Sequence, residues 1–205
     1  MTTLGVLKAR IADDLARGGE LDTQIAAAIE DAVDYYKDEK FTFNQGVGTV
    51  TTASGTANYD LPVDAQKIDA ATIVSSGSRY DLERIPFEQY LEYSQIPDTA
   101  LGTPCEYAIW NNDVYFYPTP TAIETVTFWS VEDLTAFASD DDSNGWTTEG
   151  RMLIRCHAKG SIYRHVIRNF EEAAANESAA LVELRRLRRK ANRLLSRGQV
   201  RPSIT

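Results

Sequence analysis

Histidine and cysteine are scarce in this 205-residue chain, with two of each. Cys105 and Cys156 stand far apart and form no CxxC motif, so no disulfide framework is expected, only reduced thiols in a cytoplasmic setting. His157 and His165 are the only imidazoles. They lie about two helical turns apart on one face, whereas a zinc site needs three or four ligands. Cys156 adjoins His157 but points about 100° away around a helix. A Ser-His-Asp or Cys-His catalytic set would have to use one of these histidines, and no GxSxG motif accompanies them. Neither GxGxxG nor GxxxxGK[ST] is present, so nucleotide binding has no support. There is no apolar run of 18 residues for a membrane span. Met1-Thr2-Thr3-Leu4 lacks the charged and apolar regions of a secretory leader. No catalytic residue, cofactor or metal is therefore expected, and the chain reads as a non-enzyme.

What is present is ordinary for a globular protein: 43% hydrophobic and 25% charged residues, enough for a real core. The charge is unevenly placed. Net charge is −9, yet residues 181–201 carry eight basic side chains (Arg185, Arg186, Arg188, Arg189, Lys190, Arg193, Arg197 and Arg201) against one acid, Glu183. The first 180 residues hold 13 basic and 29 acidic groups. Such an acidic body repels nucleic acid. A basic end on it seeks an acidic partner or a neighbouring copy of the same body.

The order along the chain is helix, sheet, helix. Leu4, Leu7, Ile11 and Leu15 mark a helix over 3–17 behind a Thr2 or Thr3 cap, ended by Gly18-Gly19. Asp22 can cap a second helix, with Ile25, Ile29, Val33 and Tyr36 on its apolar stripe, to about Glu39. The short turn between them predicts an antiparallel pair. From Phe41, short β-branched and aromatic runs predict strands at Val47–Thr52, Asn58–Leu61, Ile68–Val74, Arg79–Ile85, Cys105–Trp110, Val114–Tyr117 and Glu124–Val131. Ser75–Ser78 and Asn111–Asp113 read as hairpin loops. Pro86–Tyr93 reads as a short helix with Pro86 at its first position.

Seven of the twenty aromatics fall within 105–129: Tyr107, Trp110, Tyr115, Phe116, Tyr117, Phe128 and Trp129. They occupy both alternation phases, so both faces of the sheet are apolar. Either the sheet is closed or covered by helices, or one face, carrying Trp110, Tyr115, Tyr117 and Trp129, meets a neighbouring subunit or another partner.

After a polar loop at Asp140–Gly145, Thr147 or Thr148 should cap a helix to about Arg168, with Leu153, Ile154, Ile162 and Val166 as apolar points. Asn169 and Glu172 suggest a capping box. A last helix then runs to about Arg197, with Leu181, Leu184, Leu187, Ala191 and Leu194 as its stripe. Asp140, Asp142, Asn144 and Gly145 match the start of a calcium loop, but its twelfth position is Arg151, a cation, so a solvated turn is the better reading.

The expected architecture is α+β, an antiparallel helical bundle of N- and C-terminal helices with an inserted antiparallel β-domain. Its parts are a helical hairpin at 1–40, the β-domain at 41–135, completing helices at 146–197 and an extended tail at 198–205. The arginine helix is the strongest functional feature. It is either a solvated face, a phosphate binder with steep salt dependence, or a partner for carboxylates. Its outer face bears Arg185, Arg186, Arg189 and Arg193.

Several stretches, in this order, carry a resemblance: TLGVLKARIADDLARGG at 3–19, IAAAIEDAVDYYKDEKFTFNQG at 25–46, ANYDLPVDAQKIDA at 57–70, GTPCEYAIWNNDVYFYPTP at 102–120, SNGWTTEGRMLIRCHAKGSIYRHVIRN at 143–169 and SRGQVRP at 196–202. Together they resemble the head-to-tail adaptor (connector) proteins of tailed bacteriophages, over nearly the whole chain. The resemblance implies a structural virion protein of the neck, assembled in the host cytoplasm. It implies a ring beneath the portal, typically of twelve copies, that joins capsid to tail. Packaged DNA would pass through the lumen without specific binding and leave through it on ejection. The implied partners are the portal, a downstream nozzle or tail-tube protein, and other copies of the chain. Arg185, Arg186, Arg189, Arg193, Arg197, Gln199, Val200, Arg201, Pro202 and Ile204 become the expected portal-docking residues. The alternatives are a nucleic-acid-binding protein using the basic helix, or another virion ring protein such as a tail completion or terminator protein.

Overall fold

Thr3 begins the first helix as the spacing predicts: its hydroxyl accepts from the Val6 amide, 3.4 Å away, satisfying a donor that a helix N-terminus leaves open. The computed structural model describes residues 2–16, 20–62, 65–95, 100–134 and 137–196. Among them are six α-helices, a short π-helical turn and a seven-stranded sheet. The chain divides into two compact units, Met1–Asn44 with Leu134–Thr205, and Gln45–Asp133.

The first unit is helical. Helix α1 spans Leu4–Asp14 and α2 Asp22–Tyr36. Asp22 is not the cap of α2. It lies inside the first turn, where its carboxylate complements the helix dipole, and Leu21 precedes it without a side-chain cap bond. Helix α4 (Gly145–Thr148) is capped by Asn144 rather than by Thr147 or Thr148. Asn144 Oδ1 accepts from the Trp146 amide, and the Thr147 hydroxyl accepts from the Asn144 amide. Helix α5 (Arg151–Ile162) runs into a π-helical turn at Tyr163–Ile167, closed by Arg168 in the left-handed conformation. Val166 is therefore exposed and not a core point. Helix α6 spans Phe170–Ser196. Asn169 Oδ1 accepts from the Glu172 amide at 3.2 Å, as the capping pattern predicts.

One apolar core joins these helices: Leu7 and Ile11, Ile25 and Ile29, Leu153 and Ile154, Leu184 and Leu187, with Phe41 and Trp146. The buried stripe of α6 is Ala173, Ala180, Leu184, Leu187 and Ala191. Leu181, expected on that stripe, is 52% exposed, because Ala180 takes the inward position one residue earlier. The expected stop at Gly18-Gly19 and the side chain of Leu194 lie outside the described residues.

The second unit is a sheet with a helix on it. Its strands are β1 (Gln45–Thr51), β2 (Asn58–Asp60), β3 (Ala65–Ser75), β4 (Ser78–Arg84), β6 (Glu106–Trp110), β7 (Asp113–Tyr117) and β9 (Thr125–Glu132), with α3 (Phe87–Ser94) between β4 and β6. Two-residue strands β5 (Leu101–Gly102) and β8 (Thr119–Pro120) pair separately. The order across the sheet is β1-β9-β3-β4-β6-β7-β2. It is not wholly antiparallel. Strands β4 and β6 run parallel, because the chain between them crosses the sheet through α3 instead of turning back. Pro86 precedes α3 as its cap instead of opening it.

Both predicted hairpins form with tight two-residue turns. Ser76-Gly77 and Asn111-Asn112 each place both residues at positive φ, the combination that matches strand twist. The sheet curls until Val50 of β1 and Leu61 after β2 share one core with Ile73, Phe116 and Phe128. The close approach needs Gly48, where a Cβ would meet the Pro62 ring at 2.3 Å.

Candidate functional site

The basic helix divides once its partners are known. Arg188 pairs with Glu39, and Lys190 with Glu149. These two cations tie α6 to its own unit. Arg186 pairs with Glu183 three residues earlier, at 2.6 Å. Arg193 also has a partner. Arg185 and Arg189 are exposed and have no ion pair among the described residues. They stand four residues apart, hence on one face. The structure thus brings two of the four predicted arginines together as an available pair. Arg197, Gln199, Val200, Arg201, Pro202 and Ile204 lie outside the described residues.

Ahead of the arginines, the same side of α6 exposes Ala174, Ser178, Leu181 and Val182. Alanine and leucine favour helix, which lets α6 continue as one 27-residue element although half its surface meets no core.

Between α2, α5 and α6 lies an open groove of about 340 Å³. Tyr35 and Tyr36, His157 and Ser161, and Ala180, Leu181 and Leu184 line it, with Arg164, His165 and Glu177 at the π-helical end. Both histidines face it, as their spacing implies. The Tyr36 hydroxyl lies 3.0 Å from His157 Nδ1. Burial, with a smaller contribution from Tyr35, pushes the Tyr36 phenol up to about 12. Burial lowers the His157 imidazole below its usual range, opposed by Glu177 and Asp31. Arg164 and Glu177 form two parallel hydrogen bonds of 2.7 Å. Arg164 and Glu177 thus neutralise each other at this end, and the rest of the lining is largely aromatic and aliphatic. No sequence pattern signals the groove, since its walls come from three separated segments.

The acidic loop at 140–145 is occupied by structural work. The Asp142 carboxylate accepts from the Ala138 and Ser139 amides at 2.6 and 2.8 Å. Asp140 pairs with Lys8 at 2.6 Å, and the Asp140 and Asp142 carbonyls accept from Gly5 and Leu4 at the start of α1. The two backbone carbonyls cap α1, the Asp140 carboxylate clamps it, and the Asp142 carboxylate holds the loop in shape.

In the sheet unit the aromatics sort by face. Tyr107, Phe116 and Phe128 point into the core. Tyr115 and Tyr117 point to the other side, where Phe87, Tyr90 and Tyr93 of α3 cover them. Trp110 stacks on Phe87, centroids 5.0 Å apart, and remains 56% exposed. Trp129 is half-buried, with Arg79 over its ring at 5.6 Å. Of the four aromatics expected at a subunit or tail interface, Trp110 presents the largest free surface.

The sequence matches the family described as SU10 adaptor protein over residues 2–203. The chain belongs to that family. It is a family of phage head-to-tail adaptors, a structural class and not an enzyme class. Among the curated proteins no match is found. The match spans both units of the SU10 adaptor chain, so the sheet is as much a part of the family's architecture as the helices.

Proposed function

We propose that the chain forms a ring under the portal of a tailed phage, joins capsid to tail and continues the DNA channel. The helical unit is read as an antiparallel bundle carrying the β-domain as an insertion. The observation that carries the proposal is the family match across nearly the whole chain, supported by charge. A body with 13 basic and 29 acidic groups before residue 181 would let DNA slide past a lumen it lined, since like charge prevents tight binding.

The end of α6 and residues 197–205 are assigned to the portal. Arg197, Gln199, Val200, Arg201, Pro202 and Ile204 make up a short segment, so the contact that one copy offers is small and its binding weak. Twelve copies on a matching portal would convert weak contacts into avidity. The free chain is then a monomer that becomes a ring on the portal. Trp110, with Tyr115, Tyr117 and Trp129 as lesser contributors elsewhere on the sheet, is assigned to the next subunit or the downstream nozzle or tail-tube protein. The assembled protein resides in the virion neck.

The test is capture of the portal by the full chain and by a chain truncated after Arg197. Capture should fall at least tenfold with the truncation. Equal capture would remove the C-terminal segment as the anchor. A second reading, nucleic-acid binding by the basic helix, draws on Arg185 and Arg189. It predicts duplex DNA binding that weakens steeply with salt, while the adaptor reading predicts no binding even at low salt.

A further inference from the structure

Two surfaces of the helical unit complement each other, and they lie on different helices. On α6, opposite the buried stripe, Ala174, Ser178, Arg185 and Arg189 are exposed, flanked by Leu181 and Val182. On α2, opposite Ile25, Ile29, Ala32 and Tyr36, the exposed residues are Thr23, Ala27, Glu30, Asp31 and Asp34, with Asp38 just beyond the helix end. One face is small, then basic. The other is small, then acidic.

The two helices also advance in the same direction. Tyr35 and Tyr36 share a groove with Ala180, Leu181 and Leu184, and about one turn further on Glu39 meets Arg188. If a second copy set its α2 along the outward face of α6 in this direction, one register would match at both ends of the face, with Leu181 and Val182 falling between them against the side-chain stems of Glu30 and the neighbouring Asp31. Arg185 meets Asp34, Arg189 meets Asp38, Ser178 meets Ala27 and Ala174 meets Thr23. This register lies close in height to the level at which Glu39 and Arg188 meet within one chain. Little rise per copy is needed, and a contact between two different surfaces closes into a ring only when the rise is nil.

We propose that the outward face of α6 is the lateral interface between copies, seated on the α2 face of the next copy through Arg185 and Arg189 against Asp34 and Asp38. This rests on the ring reading above and assigns these two arginines to a neighbouring copy instead of the portal. Small residues let the helices approach, and Arg–carboxylate pairs fix register and partner. Among the described residues Asp34 is held by a 3.4 Å contact with Lys37, which an incoming guanidinium can share or replace. Leu181 and Val182 lose their contact with water in the same interface.

The test uses the purified portal of the phage that encodes this chain, titrated with full-length variants, bound copies being counted by native mass spectrometry. Wild type should fill the ring cooperatively. Arg185→Glu with Arg189→Glu, and separately Asp34→Arg with Asp38→Arg, should each raise the half-filling concentration at least tenfold. The chain carrying all four changes should recover most of the loss. Circular dichroism checks that each variant is folded. If both double variants fill the ring as wild type does, or if the folded four-change chain stays as impaired as the arginine variant, the lateral assignment is wrong while the ring reading stands. If wild type itself binds without cooperativity, the ring reading fails and takes this interface with it.

Discussion

The two units hold themselves together by different means. In the helical unit, polar clamps join elements far apart in sequence: Asp14 with Arg155 and Lys159, Glu39 with Arg188, Glu149 with Lys190. In the sheet unit, strand ladders and packed aromatic rings dominate, from Tyr59 and Phe116 through Tyr107 and Phe128. A ladder satisfies backbone groups regardless of pH, while a carboxylate clamp depends on ionisation. The helical unit is therefore the titratable half of the molecule, and the sheet unit the half most sensitive to side-chain volume.

The largest expected effect breaks the sheet side. Phe128 is fully buried and meets both Tyr107 and Phe116. Phe128→Ala should cost about 3–5 kcal/mol, read as lost hydrogen-exchange protection in β9 and its neighbours β1 and β3. Next comes Gly48→Val, which forces a side chain into the Pro62 ring. Overpacking of this kind costs about 1–3 kcal/mol. Protection near Leu61 should fall first, and an unchanged melting temperature would show that the sheet does not need to curl so closely.

On the helical side, Asp14→Asn removes an acid bound by Arg155 at 2.6 and 2.8 Å and by Lys159 at 2.9 Å. Its side chain is 23% exposed, between the surface and buried limits, so about 1–2 kcal/mol is expected. The Arg155 hydrogen bonds hold this carboxyl below its usual range against partial desolvation, with Lys159 adding to the effect. Its contribution is thus present above the ordinary carboxylate pKa and disappears as pH falls through the lowered value. Asp14→Asn should flatten the acid limb of helical stability and leave exchange in the sheet core unchanged. His157 acts in a higher window. Its folded pKa is depressed by burial, so the unfolded chain takes up the proton first, and helical stability declines as pH drops below about 6.5. His157→Gln should remove that slope. The smallest effect is on folding by Arg185→Glu with Arg189→Glu, within about 0.5 kcal/mol, because neither side chain has an ion pair to lose among the described residues.

Much of the fold was legible because local rules agreed with the tertiary outcome. Thr3 caps α1, both hairpin turns form, and the α2 stripe of Ile25, Ile29 and Tyr36 is buried. The misplacements have physical causes. Leu181 is the more apolar residue, but the approach of α5 favours the smaller Ala180. Thr147 looks like a cap and is one in reverse, serving the Asn144 amide from inside the helix. The parallel pairing of β4 and β6 could not be read from alternation, which is blind to strand direction. For the site, clustering of arginines was visible, but their division was not. Only long-range partners such as Glu39 and Glu149 separate structural cations from available ones.

The most direct measurement of the central claim is electron microscopy of lysates from the phage that encodes this chain, with the chain deleted and then supplied in trans. A head-to-tail adaptor predicts DNA-containing heads without tails, and tailed particles again on complementation. Tailed, infectious particles in the absence of the chain would contradict the account.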